Sequence, residues 1–144
     1  MKYKEFLEKL NGRCPFCTLK KSEILKENKT CAIILCRMPY IEGHLLIIPK
    51  RCISEYYQLK LPEKKDIERL LSWAIKNIKK KYGNFSVMYR EGDSAVVGGS
   101  IKHFHIHLLP NMKLGIDAKD AYNRNVFSDK EYYKKIKDMR KMFH

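Results

Sequence analysis

The chain has 144 residues, 44% hydrophobic and 11% aromatic, which suits one folded domain over 1–144 and excludes a disordered tail. Lys and Arg number 30 against 16 Asp and Glu, a formal net charge of +14, so the chain attracts phosphates, on nucleotides or on nucleic acid. No apolar run approaches the ~18 residues of a membrane span, and the charged N-terminus MKYKEFLEKL lacks an apolar signal core, so the expected address is cytoplasmic.

Tyr3, Phe6, Leu7 and Leu10 recur at helical spacing and Asn11-Gly12 stops them, which predicts a helix over 3–10. Cys14-Pro-Phe-Cys17 follows. A pair at this spacing is half of a zinc site or a redox motif. A redox pair sits at the start of a helix, whereas here a helix precedes it, and zinc is favoured. The odd count of five cysteines, with no export signal, argues against a disulfide framework. Residues 30–36 (TCAIILC) read as a strand, with Cys31 and Cys36 on opposite faces as reduced packing residues. Pro39 to Gly43 reads as a turn, and 44–48 (HLLII) as a second strand ended by Pro49.

Residues 63–82 carry one apolar stripe from Ile67 to Ile78, acids near the start, lysines at the end and Gly83 after it, which predicts a long helix. A third strand over 85–89, a glycine-bearing loop over 92–100 and a fourth strand over 101–109 come next. After Pro110 a polar segment leads to a last helix from Ser128, where Ser128 and Glu131 form a capping box. The lysine runs at 76–81 and 134–141 read as solvated helix faces. The order of elements predicts an α+β domain on a mostly antiparallel sheet, with a long helix and a C-terminal helix.

The fourth strand reads KHFHIHLLP. Alternation puts His103, His105 and His107 on one face and Phe104, Ile106 and Leu108 on the other. The apolar side must pack on the core, so the histidines line a cleft. A polar solvent-facing strand rarely yields three histidines at strict alternation. Two chemical readings stand: imidazoles sharing a metal ion, or a neutral imidazole attacking phosphorus while its neighbours donate hydrogen bonds. Gly98-Gly99-Ser100 just before the strand favours the second, because glycines let backbone N–H groups approach an anion and Ser100 adds a hydroxyl.

HFHIHLL resembles the motif that names the histidine triad (HIT) superfamily. LCRMPYIEGHLLIIPKR, residues 35–51, is similar to that family's upstream block, and CPFC resembles the zinc knuckle of its zinc-bearing branches. The likeness covers roughly 14–110; the C-terminal extension 111–144 carries no matching motif. The resemblance implies a HIT-like fold, a homodimer with two nucleotide sites, and a nucleotide hydrolase or nucleotidyl transferase of the dinucleoside polyphosphate hydrolase type. It makes His105 the nucleophile at the α-phosphate, forming a nucleotidyl-histidine that water or phosphate resolves. His107 and His44 bond the phosphate oxygens, joined by Ser100 and by the backbone at Gly99. The first triad histidine, His103, is a zinc ligand with Cys14 and Cys17, and Cys52 stands where relatives place a fourth ligand. Such a closed Cys3His site is structural.

Two departures bear on substrate choice. Cys36 occupies a position where an amide or acid commonly touches the ribose. Arg90 and Glu91 fill the neighbourhood of an amide that contacts the leaving phosphate, with Arg90 as a cationic substitute. The expected substrates are dinucleoside polyphosphates or adenylylated compounds. The alternative is a zinc-stabilised nucleotide- or nucleic-acid-binding module with weak or lost catalysis.

Overall fold

The computed structural model describes residues 1–113 and 124–143; most of the polar segment after Pro110 lies outside them. In chain order the elements are α1 (Tyr3–Leu10), β1 (Ile24–Glu27), β2 (Cys31–Leu35), β3 (Leu45–Pro49), α2 (Leu61–Tyr82), β4 (Phe85–Met88), the single turn α3 (Ser94–Val97), β5 (Ile106–Pro110) and α4 (Asp129–Met142). The strands form one antiparallel sheet in the order β1-β2-β3-β5-β4. The expected α+β architecture with a long and a C-terminal helix is present.

Strand parity sorts the apolar side chains into two cores. Cys31, Ile33 and Leu35 of β2, Leu45 and Ile47 of β3, and Ile106 and Leu108 of β5 pack with α2 and α4. Ala32 and Ile34 of β2 and Leu46 and Ile48 of β3 face the other way, against Tyr3 of α1 and Phe16 of the knuckle. Cys31 and Cys36 fall on opposite sides, as their spacing predicts. Leu108 is fully buried, and burying such a side chain contributes about 1.5–3 kcal/mol.

The motif-free C-terminal part belongs to the same core. Tyr132, Ile136 and Met139 of α4 join the α2-side cluster, and the Tyr132 hydroxyl donates to the Leu35 carbonyl at 2.9 Å. Ser128 accepts from the Glu131 amide and Glu131 from Ser128, so the predicted capping box starts α4. The first residues close the fold against the chain leading into α4: Tyr3 N–H donates to the Arg124 carbonyl at 3.0 Å and Val126 N–H to that of Met1 at 2.8 Å.

The fourth strand is shorter than 101–109 predicts. Pairing between β3 and β5 runs only from Leu45 opposite Leu108 to Ile47 opposite Ile106. Before it, Phe104 N–H donates instead to the Ile53 carbonyl in the loop after β3, at 2.6 Å. His103 and His105 therefore precede the strand and His107 lies in it. Their apolar partners Phe104, Ile106 and Leu108 still share the α2-side core, so the alternation of faces holds where the ladder does not. Strand β1 and α3 carry no periodic signal in the sequence, and α2 begins earlier than expected, at Leu61, with Pro62 in its first turn.

Candidate active site and metal cluster

Gly43 opens the site. Its φ of +80° suits glycine, and a Cβ there would stand 2.7 Å from the Tyr82 hydroxyl oxygen. The turn it makes delivers His44 into the strand ladder, where Cys36 N–H donates to the His44 carbonyl at 2.9 Å. His44 is wholly buried and meets His107, on the neighbouring strand, through Nε2···Nδ1 at 2.9 Å.

Proton positions follow from which groups can only donate or only accept. Tyr40 N–H donates to His44 Nδ1 at 3.1 Å, so that nitrogen is bare and a neutral His44 carries its proton on Nε2. Nε2–H then donates to His107 Nδ1, which leaves the His107 proton on Nε2. Burial holds both imidazoles well below their ordinary pKa. For His44 the Arg124 charge adds to this; for His107 the neighbouring His44, His105 and Arg90 do. His107 is thus a neutral donor at physiological pH.

His105 is oriented the opposite way. Its Nδ1 lies 2.7 Å from the His103 carbonyl, which only accepts, so Nδ1 carries the proton and Nε2 keeps a free lone pair. Burial lowers its pKa, which keeps that lone pair available. The ring remains partly exposed, 4.8 Å from His107 between centroids and in edge contact with Phe16 at 5.3 Å.

His103 faces a different task. Its Nε2–H donates to the Pro49 carbonyl at 2.7 Å, which bares Nδ1 toward the sulfurs of Cys14 and Cys17, each at 3.5 Å. With Cys52 these donors form a cluster whose ligand atoms all lie within 4.8 Å of one another. Cys52 and Cys14 around the Cys17 thiol push its pKa up to about 12, so Cys17 needs a cation beside it to become a thiolate. Phe16, from inside the knuckle, packs edge-on against both His103 and His105.

The remaining expected residues lie around this pair. Ser100 shares a hydrogen bond with the Tyr3 hydroxyl, whose pKa burial raises, so Tyr3 stays protonated. A Cβ at Gly99 would stand 3.8 Å from that of Arg90, and both residues line an open cleft of about 280 Å3 with Lys102 and Ser54. Glycine supplies less backbone here than expected, since Gly98 N–H caps α3 by donating to the Ser94 carbonyl at 2.9 Å. Arg90 donates to the Tyr40 hydroxyl at 3.0 Å. Cys36 is the outlier: it lies buried in the α1-side core, and burial pushes its thiol pKa up to about 11.

Three residues of the site are not among those expected from the sequence: Tyr40, although it lies in the 35–51 block, Tyr3 and Arg124. Tyr40 stacks on His44 at 5.7 Å between rings, and the Arg124 guanidinium caps the Tyr40 ring at 3.6 Å while donating to the Met38 carbonyl. Tyr3 sits under the same guanidinium at 4.8 Å. Only the pairing of the first residues with 124–126 brings Tyr3 and Arg124 here, and no local spacing announces it.

Comparison with known proteins identifies the family and the fold. A family model described as HIT domain matches residues 18–114, a span that begins just past Cys17. A bis(5'-adenosyl)-triphosphatase from Dictyostelium discoideum is 23% identical over 113 residues, covering 78% of this chain and 76% of that protein. A hypothetical histidine triad nucleotide-binding protein from Sulfolobus tokodaii superposes with a TM-score of 0.69 at 22% identity, covering 90% of this chain and 91% of that one. A diadenosine triphosphate hydrolase from Plasmodium falciparum, solved with cyclomarin A, gives a TM-score of 0.65 at 20% identity, covering 98% and 92%.

Proposed function

The chain belongs to the histidine triad (HIT) family, and on that premise we propose that it is a nucleotide hydrolase or nucleotidyl transferase working through a nucleotidyl-His105 intermediate. The observation that carries this reading is the proton held on His105 Nδ1 by the His103 carbonyl, which leaves Nε2 as an in-place nucleophile beside a neutral donor, His107.

In the first step Nε2 of His105 bonds to the α-phosphorus, and the bond from phosphorus to the leaving oxygen breaks with its electron pair departing on that oxygen. The bonded imidazole gains positive charge, which the Nδ1–H···O=C bond to His103 stabilises. His107 Nε2–H donates to the phosphoryl oxygens, held in that tautomer by the relay from Tyr40 N–H through His44. Ser100 and Tyr3 offer hydroxyl donors to the same oxygens. Water then attacks phosphorus from the vacated side, gives up a proton to solvent, returns the electron pair to Nε2 and releases the nucleoside monophosphate; with phosphate as the acceptor the released product is the nucleoside diphosphate.

The substrate class assigned is dinucleoside polyphosphates, with adenylylated compounds second. Arg90 beside the 280 Å3 cleft and Arg124 behind Tyr40 favour an anionic leaving group over a neutral amine, and relatives named for diadenosine triphosphate cleavage point the same way. Cys36, being buried, contributes no ribose contact in this reading. A binding module has no need of an aligned nucleophile, which places that alternative second.

The Cys14, Cys17, Cys52 and His103 cluster is assigned to a structural Zn2+. A tetrahedron with Zn–S near ~2.3 Å and Zn–N near ~2.05 Å has an S···N edge of about 3.6 Å, and the two measured edges are 3.5 Å. The Pro49 carbonyl orients the His103 ring from outside the cluster. The expected homodimer is assigned to the open edge of β4, where Val87 is exposed.

The deciding experiment incubates wild type and H105N with diadenosine triphosphate, a nucleoside phosphoramidate and an adenylylated amine, with and without phosphate. AMP release by wild type, a trapped AMP-protein adduct in mass spectra and no turnover by H105N are expected. Undiminished AMP release by H105N would sink the covalent mechanism.

A further inference from the structure

A cavity of about 780 Å3 lies away from the histidines, where the start of α2 meets the β1–β2 turn and the chain after β3. Its walls carry six cationic side chains, Lys29, Lys50, Arg51, Lys60, Lys65 and Arg69, against the two carboxylates of Glu63 and Asp66.

Both carboxylates are already committed. Glu63 receives Arg51 at 2.7 and 3.2 Å and the Lys60 amide at 2.8 Å. Asp66 receives the Thr30 hydroxyl at 2.6 Å, the Thr30 amide at 3.1 Å and Arg69 at 3.3 Å. These partners hold each carboxyl below its ordinary pKa, so both stay ionised and occupied. Lys50 pairs with Glu27 at 3.4 Å, while Lys29, Lys60 and Lys65 form no ion pair among the described residues. The cavity therefore presents an excess of cations whose local acids are spent, in a concave wall that concentrates their field.

The lining also says what the ligand lacks. No aromatic side chain is among the lining residues, so a nucleobase finds no stacking surface. The volume falls in the ~300–1,000 Å3 range of small-molecule sites. We propose that this cavity is a second, non-catalytic site for a short chain of phosphates, recognised by Lys29, Lys60 and Lys65 as a polyanion without regard to a base. It stands whether or not the histidines are catalytic.

The test uses the full chain and inorganic tripolyphosphate in calorimetry at two salt concentrations. K29Q/K65Q should bind the probe at this class of site at least about tenfold more weakly, with its log-log salt slope reduced by about 2, roughly one per lost phosphate contact. Both lysines are exposed, so the fold should survive and turnover at His105 should be unchanged. K29R/K65R should retain binding, and H105N should leave this class intact. An ATP arm that competes for the same class while adenosine does not confirms the phosphate chain as the recognised part. Wild-type tripolyphosphate binding by K29Q/K65Q overturns the proposal. So does a single-stranded oligonucleotide that binds the lysine-dependent class more than about tenfold tighter than tripolyphosphate, which would make the cavity a nucleic-acid site.

Discussion

On the α2 side of the sheet, Phe104, Ile106 and Leu108 pack with the apolar side chains of α2 and α4, and the carboxylates buried there, Glu63 and Asp66, sit at the start of α2. On the α1 side the same few residues of chain bury His103 and His107 and half-bury His105, with His44, just ahead of β3, bonded to His107. Apolar burial needs only volume and shape to match, so many arrangements of Leu and Ile would serve the first side. Buried imidazoles need each nitrogen assigned a partner, so the second side is fixed by donors and acceptors: Tyr40 N–H, the His103 carbonyl and the Pro49 carbonyl. One face is specified by packing and the other by proton positions.

Substitutions can break that contrast. H105N should lower turnover at least about 10^4-fold, the scale of losing a covalent nucleophile, with thermal stability near wild type; a variant keeping more than a small fraction of activity would erase the distinction. L108A should cost about 2–5 kcal/mol in urea unfolding through the cavity it leaves, while the folded fraction keeps its kcat. If kcat falls with it as far as in H105N, the faces are not separable.

The metal end sharpens the comparison. C52A should reduce bound zinc below about one per chain, with a loss of affinity exceeding the ~10–100-fold cost of losing an outer partner; elemental analysis and chelator titration read it. Y3F removes one hydroxyl and should lower kcat/KM about tenfold, near 1.4 kcal/mol. An effect confined to stability would move Tyr3 to the packing side of the ledger.

The smallest effect is in acid. Glu63 is held below its ordinary pKa by Arg51, and Asp66 by Thr30. A carboxyl whose folded pKa is depressed stabilises the fold above its unfolded value, and that contribution fades as pH falls through the folded value. D66N should therefore flatten the loss of stability on acidification below about pH 4, followed by denaturant midpoints. Unchanged steepness would remove Asp66 from the acid response.

Much of this was legible in the chain. Ile67 to Ile78 announces α2, Ser128 and Glu131 announce α4, and the alternation after Lys102 assigns faces correctly. The start of β5 was not legible, because a tertiary bond from Phe104 to Ile53 and the pull of His103 toward the cysteines replace ladder pairing. Strand β1, Ile-Leu-Lys-Glu, is too short to show a period. Tyr3 and Arg124 reach the site through pairing between distant ends of the described chain, and a window of local sequence holds no trace of that.

The peptide between His103 and Phe104 has two allegiances: the residue offers Nδ1 to the cysteine cluster, and its carbonyl fixes the proton on His105. On the proposed zinc and nucleophile assignments, loss of the metal should displace that carbonyl and leave a molecule without a primed nucleophile, rather than a slower one. Partial metal loading should then reduce the count of competent molecules and leave the speed of each unaltered. In a rapid-quench trace the burst height would track zinc content while its rate constant stays flat; a burst that slows at constant height would contradict this.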